Sequence, residues 1–465
     1  MAKTMVIAMN KKIIRIVAAF AVAVIISSFG AIGTSAAQMK DVRIGDWFYS
    51  DVTRLTDAGV LGGYPDGCFY PNRQITCAEF TKVLLSCIGA DTDVTGTTVL
   101  FKEHWASKHI TAAYAGGIIT DSDLATGFSP DKPITRGLMT KMAVLALELE
   151  PAYIESPFVD ADDPYANAAY SAYLLRGYDT GFGTLKCNKD QNATRAEASA
   201  IAVRILDYKT DSYEYLKKAI LDNASTNSLD TEAELVDFFY VLNRELITEY
   251  TFKTKFSFEK WSQAYSLANQ LHFESFYSEG CDCSYIPGNT TYTIKPRYTQ
   301  SIRTLKNMKE TVEAEAKKIT DTIISEDMTK TQKARAIHDY LVLNCKYDYA
   351  NYQKGTIPEE SYLAYGAMCK KTAVCQGYTN AFNLLSKYAG LASITVSGTA
   401  PTGPGHAWNA VLIDGNIYYI DTTFDDPTPD VEGRVMSDYF MLDETQMAKQ
   451  GYRWDKSTVK VEYFH

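Results

Sequence analysis

Beyond residue 37 this sequence has no apolar run approaching the roughly 20 residues that a transmembrane helix needs, so no membrane span is expected in the mature chain. Net positive charge is also missing. The formal charge is −10, which argues against nucleic acid as a partner. Histidine is scarce, and none of it clusters with cysteine. Cys281 and Cys283 stand too close together for an ordinary metal knuckle, so no metal and no cofactor is expected. The nine cysteines show no regular framework, and an odd number in an exported chain leaves at least one thiol unpaired within the molecule. Most of them read as buried thiols, which suits a reducing or anaerobic setting.

What is present begins with a leader. Lys11, Lys12 and Arg15 precede an apolar run from Ile16 to Ile26, and small residues follow to Ser35-Ala36-Ala37. That order predicts a secretory signal peptide over residues 1–37, with cleavage expected after Ala37. Its removal leaves the mature chain four charges more acidic, because Lys3, Lys11, Lys12 and Arg15 go with it. The remaining length calls for several domains with ample apolar content for their cores.

Self-similarity organises the first half. Thr76, Thr135 and Thr194 recur at a spacing of 59 residues, and each opens an apolar helical pattern. Phe80, Val83, Leu84, Cys87 and Ile88 make one apolar face, and Ala198, Ile201, Ala202, Ile205 and Leu206 make another. An aromatic opens an earlier helix in each unit, at Trp47, Trp105 and Tyr165. Glycine-rich turns, clearest from Gly62 to Pro71, join the two helices. Each unit is too small to close a core alone and should pack on its neighbours. These features resemble S-layer homology repeats, at 38–93, 97–151 and 155–210, which implies an all-α bundle of three helix-loop-helix units.

Thr-x-x-Glu, as at Thr76/Glu79 and Thr194/Glu197, is also a capping box that needs no ligand. It does not account for arginine in the first helical turn, where the helix dipole disfavours a cation. The resemblance implies an anionic, pyruvylated secondary cell-wall polysaccharide as partner, held by Arg136 and Arg195 with Trp47 or Trp105 as a stacking face. Cys77 replaces the arginine of the first unit. As large aromatics at helix starts, Trp47 and Trp105 are expected in the core rather than on a ligand. The resemblance places the protein at the bacterial cell surface, in the wall or S-layer.

Residues 211–325 read as a helical and mixed connector, with a hairpin or extended segment between Cys281 and Tyr298. Being rich in aromatics and poor in Gly and Pro, it is expected to extend the following domain rather than act as a flexible linker. In that domain, 326–465, Tyr378, Phe382, Leu385 and Ala389 form one helical face ending at Gly390, so Cys375 opens the helix, where the dipole favours a thiolate. Asp414-Gly415 between two alternating runs signals a two-residue hairpin. Opposed positions then sum to 829, so Trp408 faces Asp421, and His406 becomes a diagonal neighbour of Asp421 on the same face. Diagonal neighbours are about 7–8 Å apart at the backbone, which an imidazole and a carboxylate can close.

Val-Cys-Gln-Gly-Tyr, Gly-His-Ala-Trp-Asn-Ala-Val and Tyr-Tyr-Ile-Asp-Thr-Thr-Phe-Asp-Asp-Pro, in that order after Ile337-His338-Asp339-Tyr340, resemble the transglutaminase-like (papain-like cysteine peptidase) superfamily. The resemblance implies an α+β domain with Cys375 as nucleophile, His406 as base and acid, and Asp421 as its orienter. His338 is the rival base and is expected to be structural. Asp425 and Asp426 look like turn residues. The chain as a whole is thus expected to be multidomain and to perform acyl transfer on a peptide or protein amide, with peptidase preferred over cross-linking. The competing expectation is a wall-bound adhesion or scaffold protein with a non-catalytic module of this fold.

Overall fold

The computed structural model describes residues 39–464 apart from 154–155, 182–183, 272–277, 287, 427 and 430. The signal peptide expected at 1–37 lies outside the described residues. Two compact units divide between Leu216 and Lys217. Among the described residues no helix is long and apolar enough to cross a membrane.

The first unit contains α1 (Tyr49–Asp57), α2 (Cys77–Ile88), α3 (Ser107–Ala115), α4 (Asp121–Thr126), α5 (Arg136–Ala146) and α6 (Pro164–Ser171). A two-residue ladder of β1 (Tyr178–Asp179) and β2 (Leu185–Lys186) precedes α7 (Arg195–Thr210). Thr76, Thr135 and Thr194 cap α2, α5 and α7, each accepting from the amide three residues on. Glu79 and Glu197 complete capping boxes, whereas Leu138 leaves Thr135 to cap alone.

Just before these caps the repeats join. The Ile75 amide donates to the Ala193 carbonyl at 3.1 Å, Ala193 to Ile134 at 2.9 Å, and Ile134 to Ile75 at 3.0 Å. These positions keep the 59-residue spacing and are fully buried, so the ring is a pseudo-threefold junction. The first amides of each helix then donate to the turn of another repeat: Cys77 to Lys132, Arg136 to Gln191, and Arg195 to Arg73. Orphan amides at a helix start need partners, and here the next repeat provides them. One apolar core runs through Leu55, Phe80, Ile110, Met142 and Ile201.

The division between the units falls inside α8 (Ser212–Thr226). The second unit opens with α9 (Glu232–Arg244), β3 (Tyr250–Lys253), α10 (Phe258–Leu271), and a hairpin of β4 (Ser278–Tyr285) and β5 (Thr291–Tyr298). The strands form an antiparallel sheet in the order β3-β5-β4. Buried Phe238, Phe239, Phe252 and Trp261 pack ring against ring beneath it. From Lys217 onward the connector belongs to the same compact unit as the C-terminal domain.

Next come α11 (Ile302–Ile323), α12 (Lys330–Asn344), β6 (Lys346–Tyr347), α13 (Tyr349–Lys354), β7 (Thr372–Ala373) and α14 (Cys375–Ala389). A second sheet is built from β8 (Ala392–Ala400), β9 (Gly403–Ile413), β10 (Asn416–Ile420) and β11 (Arg453–Trp454), with α15 (Glu444–Lys449) before the last strand. Its order is β10-β9-β8-β11, all antiparallel. Helix α14, with Phe382 and Leu385 fully buried, packs on β9. The unit is α+β and the repeat unit helical.

Candidate functional site

Cys375 is the first residue of α14, behind Val374 in extended conformation. A side chain at Gly377 would bring its Cβ within 2.4 Å of the Ser361 carbonyl, so the close seat of this helix start requires glycine. One polar network fixes α14 against the sheet. The Asn409 side-chain amide on β9 donates to the Asn383 side-chain carbonyl at 2.7 Å, and Asn383 donates to the Thr395 hydroxyl at 2.8 Å. All three are buried. Asn383→Ala would strand two buried polar groups, and denaturant unfolding should show a loss of about 1–3 kcal/mol.

The hairpin has the register expected of it. Asp414 and Gly415 both have positive φ, at 51° and 79°, and Ile413 pairs with Asn416 through to Asn409 with Ile420. On β9 a register shift lies just before His406, where Gly405 has φ +77°. His406 Nε2 meets Asp421 Oδ2 at 2.6 Å. That leaves Nδ1 unclaimed by Asp421, and Cys375 lies close enough to act on the charge of the imidazole. Burial alone would lower the His406 pKa. The charge and hydrogen bond of Asp421, and then those of Cys375, outweigh burial and raise it to about 10.

Asp421 is itself fully enclosed. Its Oδ1 accepts from the Thr423 and Phe424 amides at 3.1 Å each, and Oδ2 accepts from the Tyr452 hydroxyl at 2.6 Å as well as from His406. Phe424 stacks on the His406 ring at 4.6 Å. Tyr452 carries no signal in the sequence. It lies 31 positions from Asp421 and arrives because β11 pairs with β8 at Gly398, where a Cβ would stand 2.2 Å from the Arg453 carbonyl.

Asp425 and Asp426 correct the expectation of solvated turn residues, since both are buried. Asp425 meets His338 Nε2 on α12 at 3.0 Å, and Asp426 accepts from the Tyr378 hydroxyl on α14 at 2.6 Å. The three aspartates after β10 therefore grip three different elements. A polar residue in a turn is solvated only if nothing packs over it, and here two helices do. His338 is fully buried between Asp339 and Asp425. His338→Ala should cost stability, about 1–3 kcal/mol, and leave the turnover per folded molecule close to wild type. Among the described residues no group of three or more His, Cys, Asp or Glu side chains could hold a metal.

All nine cysteines are free, but only Cys77, Cys87, Cys187 and Cys345 are buried, fewer than the sequence suggests. In the repeats Trp47 and Trp105 also depart from expectation, being 63% and 58% exposed rather than in the core. Phe48 and Ala106, one position on, take the inward places. The arginines are the buried ones. Arg136 pairs with Glu197 at 2.7 Å, donates to the Cys187 carbonyl, and lies over the Tyr178 ring. Arg195 donates to the Phe69 and Gly62 carbonyls at 2.9 and 2.7 Å, and stacks on Tyr64 and Phe69. Each guanidinium thus reaches into the turn of another repeat, which gives an arginine at a helix start a structural use.

The two differ in charge balance. Arg195 has no carboxylate partner among the described residues, and its burial holds its pKa below the ordinary value. Beside it Arg73 lies over the same Tyr64 ring, and the buried Tyr64 hydroxyl has no hydrogen-bond partner. Cys77 stands at the equivalent position of the first repeat.

Comparison with known proteins falls along the same division. The S-layer homology domain model matches residues 38–81 and 101–137, and the transglutaminase-like superfamily model matches 317–421. The surface-layer 125 kDa protein of Lysinibacillus sphaericus is 29% identical over 248 residues, 51% of this chain and 21% of that protein. An endoglucanase of Bacillus sp. (strain KSM-635) is 29% identical over 195 residues, 39% of this chain and 20% of its own length. The chain thus spans about a fifth of the length of these curated relatives. A solved TGase structure aligns with a TM-score of 0.26 at 16% identity, covering 40% of this chain and 53% of that one.

Proposed function

From S-layer homology repeats and a transglutaminase-like domain in one chain at the bacterial cell surface, we propose a wall-anchored enzyme that transfers acyl groups from amides through Cys375, His406 and Asp421. The observation that carries this reading is the 2.6 Å bond between His406 and the buried Asp421 beside a thiol at a helix start. In the first step the Cys375 thiol passes its proton to His406, leaving a thiolate beside an imidazolium. The thiolate attacks the amide carbonyl carbon, and the C–N bond breaks as His406 gives its proton to the leaving amine. A thioester remains. Water or a second amine then loses a proton to His406 as it attacks the thioester, and the thiolate is released. The Cys375 amide is one donor for the oxyanion.

Because the His406 pKa is raised to about 10, the imidazolium is complete well below that pH and is lost as pH rises through it. The alkaline limb of kcat/KM should therefore fall near pH 10. Product analysis of a peptide mixture with and without a primary amine tests the reaction class. New amine-terminated or cross-linked products would show transglutamination, hydrolysis alone a peptidase, and no Cys375-dependent product a binding module.

For the repeats the proposed partner is an anionic wall polysaccharide whose carboxylate meets Arg195, Arg73 and the Tyr64 hydroxyl. Trp47 and Trp105, being exposed, are available for sugar stacking. Arg136, already paired with Glu197, contributes a weaker share. Arg73→Ala removes an exposed side chain and should weaken binding to purified wall polysaccharide about tenfold or more, with an effect that shrinks as salt rises. Unchanged binding by both Arg73→Ala and Arg195→Ala would exclude this groove.

A further inference from the structure

Tyr452 stands outside every motif in the sequence, yet its hydroxyl reaches the same Asp421 oxygen that holds His406. The two donors lie at 2.6 Å each, and the remaining oxygen is occupied by two backbone amides. We propose that Tyr452 is a positioning residue of the acyl-transfer site, dividing the charge of Asp421 Oδ2 between itself and the imidazole. The proposal rests on the reading of Cys375, His406 and Asp421 as a catalytic triad.

The geometry gives the hydroxyl two effects. First, it fixes the carboxylate plane. With four donors on two oxygens Asp421 cannot rotate, so Oδ2 stays aimed at Nε2. Second, two donors on one oxygen weaken each other, so the hydroxyl moderates how tightly Asp421 holds the imidazolium. The proton must leave His406 for the amine in every turnover, and an over-stabilised imidazolium gives it up slowly. Tyr452 is itself enclosed, fully buried against Trp408, with ring centroids 5.0 Å apart, and against Phe424 at 5.9 Å. Burial, followed by the Asp421 charge and hydrogen bond, pushes its phenol upward, so it remains a donor at any working pH.

The test uses the full chain, and its first arm needs no substrate. Alkylation of Cys375 by iodoacetamide is followed against pH, with the modified peptide resolved from the other eight cysteines by mass spectrometry. In the wild type the rate should show an ion-pair profile, reactive well below the pH at which a free thiol ionises. Tyr452→Phe, which removes one oxygen, should keep that profile but move its alkaline limb upward by on the order of one pH unit, because Oδ2 now serves His406 alone. With a turned-over peptide, kcat should fall roughly tenfold at unchanged KM. In an Asp421→Asn background the same substitution should add little, since the hydroxyl acts through that carboxylate. All variants are read well below their melting temperatures, so lost stability cannot pose as lost activation. A Tyr452→Phe profile that superimposes on a wild-type ion-pair profile overturns the role of Tyr452 and leaves the triad standing. Ordinary thiol titration of Cys375 in the wild type overturns the triad, and Tyr452 with it.

Discussion

Cys375→Ala is expected to remove acyl transfer entirely, while the melting temperature stays within a few degrees of wild type. The thiol is partly exposed at the start of α14, and its sulfur is not part of the apolar core beneath that helix. Without it the proposed triad has no nucleophile. Cys375→Ser should be nearly as inactive. A serine hydroxyl is far less acidic than a thiol, so it yields its proton to His406 far less readily. Measurement of product release with each variant, on protein verified by circular dichroism, checks both. Residual turnover in Cys375→Ala within tenfold of wild type would move the chemistry elsewhere.

Asp421→Asn should cost several orders of magnitude in kcat with little loss of fold. The equivalent change in a serine triad lowers kcat by about 10⁴. An amide can still accept from the Thr423 and Phe424 amides through its carbonyl oxygen. Its NH2 would then face His406 Nε2 and the Tyr452 hydroxyl, and two donors meeting there force the imidazole to carry its proton on Nδ1. That is the nitrogen the thiol needs free, so the wrong tautomer results. The charge that raises the His406 pKa is lost at the same time, and the imidazolium can no longer form at neutral pH. Steady-state kinetics across pH checks both losses. A fold-matched Asp421→Asn with wild-type kcat would mean that the carboxylate only fills space.

The pairing of His406 with Asp421 is legible in the sequence because two rules with little freedom fix it. A two-residue turn sets the register, and the period of two sets the face. The repeats are legible for a similar reason, since threonine caps at a fixed spacing mark the same structural position three times. Features that stay hidden depend on which neighbour arrives from far along the chain. Tyr452 reaches Asp421 only through the pairing of β11 with β8. Asp425 and Asp426 have the composition of a solvated turn, and their burial comes from α12 and α14 packing over them. Trp47 and Trp105 mislead because a large aromatic at a helix start has a core preference that the following residue already satisfies. The dipole cost of Arg195 shows in the sequence, but the carbonyls of another repeat that its guanidinium meets do not.

If one thiol in nine is activated, competition among them reveals it most directly. Burial raises the Cys87 and Cys345 pKa values to about 12 and that of Cys281 to about 11. At about pH 6 a free thiol is well under one per cent ionised. Limiting iodoacetamide at that pH, with each cysteine-containing peptide quantified, should therefore label Cys375 first and by a margin of at least tenfold over partly exposed Cys68 and Cys369. The margin should collapse in His406→Ala. Labelling of Cys375 no faster than Cys68, or equally fast with and without His406, would contradict the account.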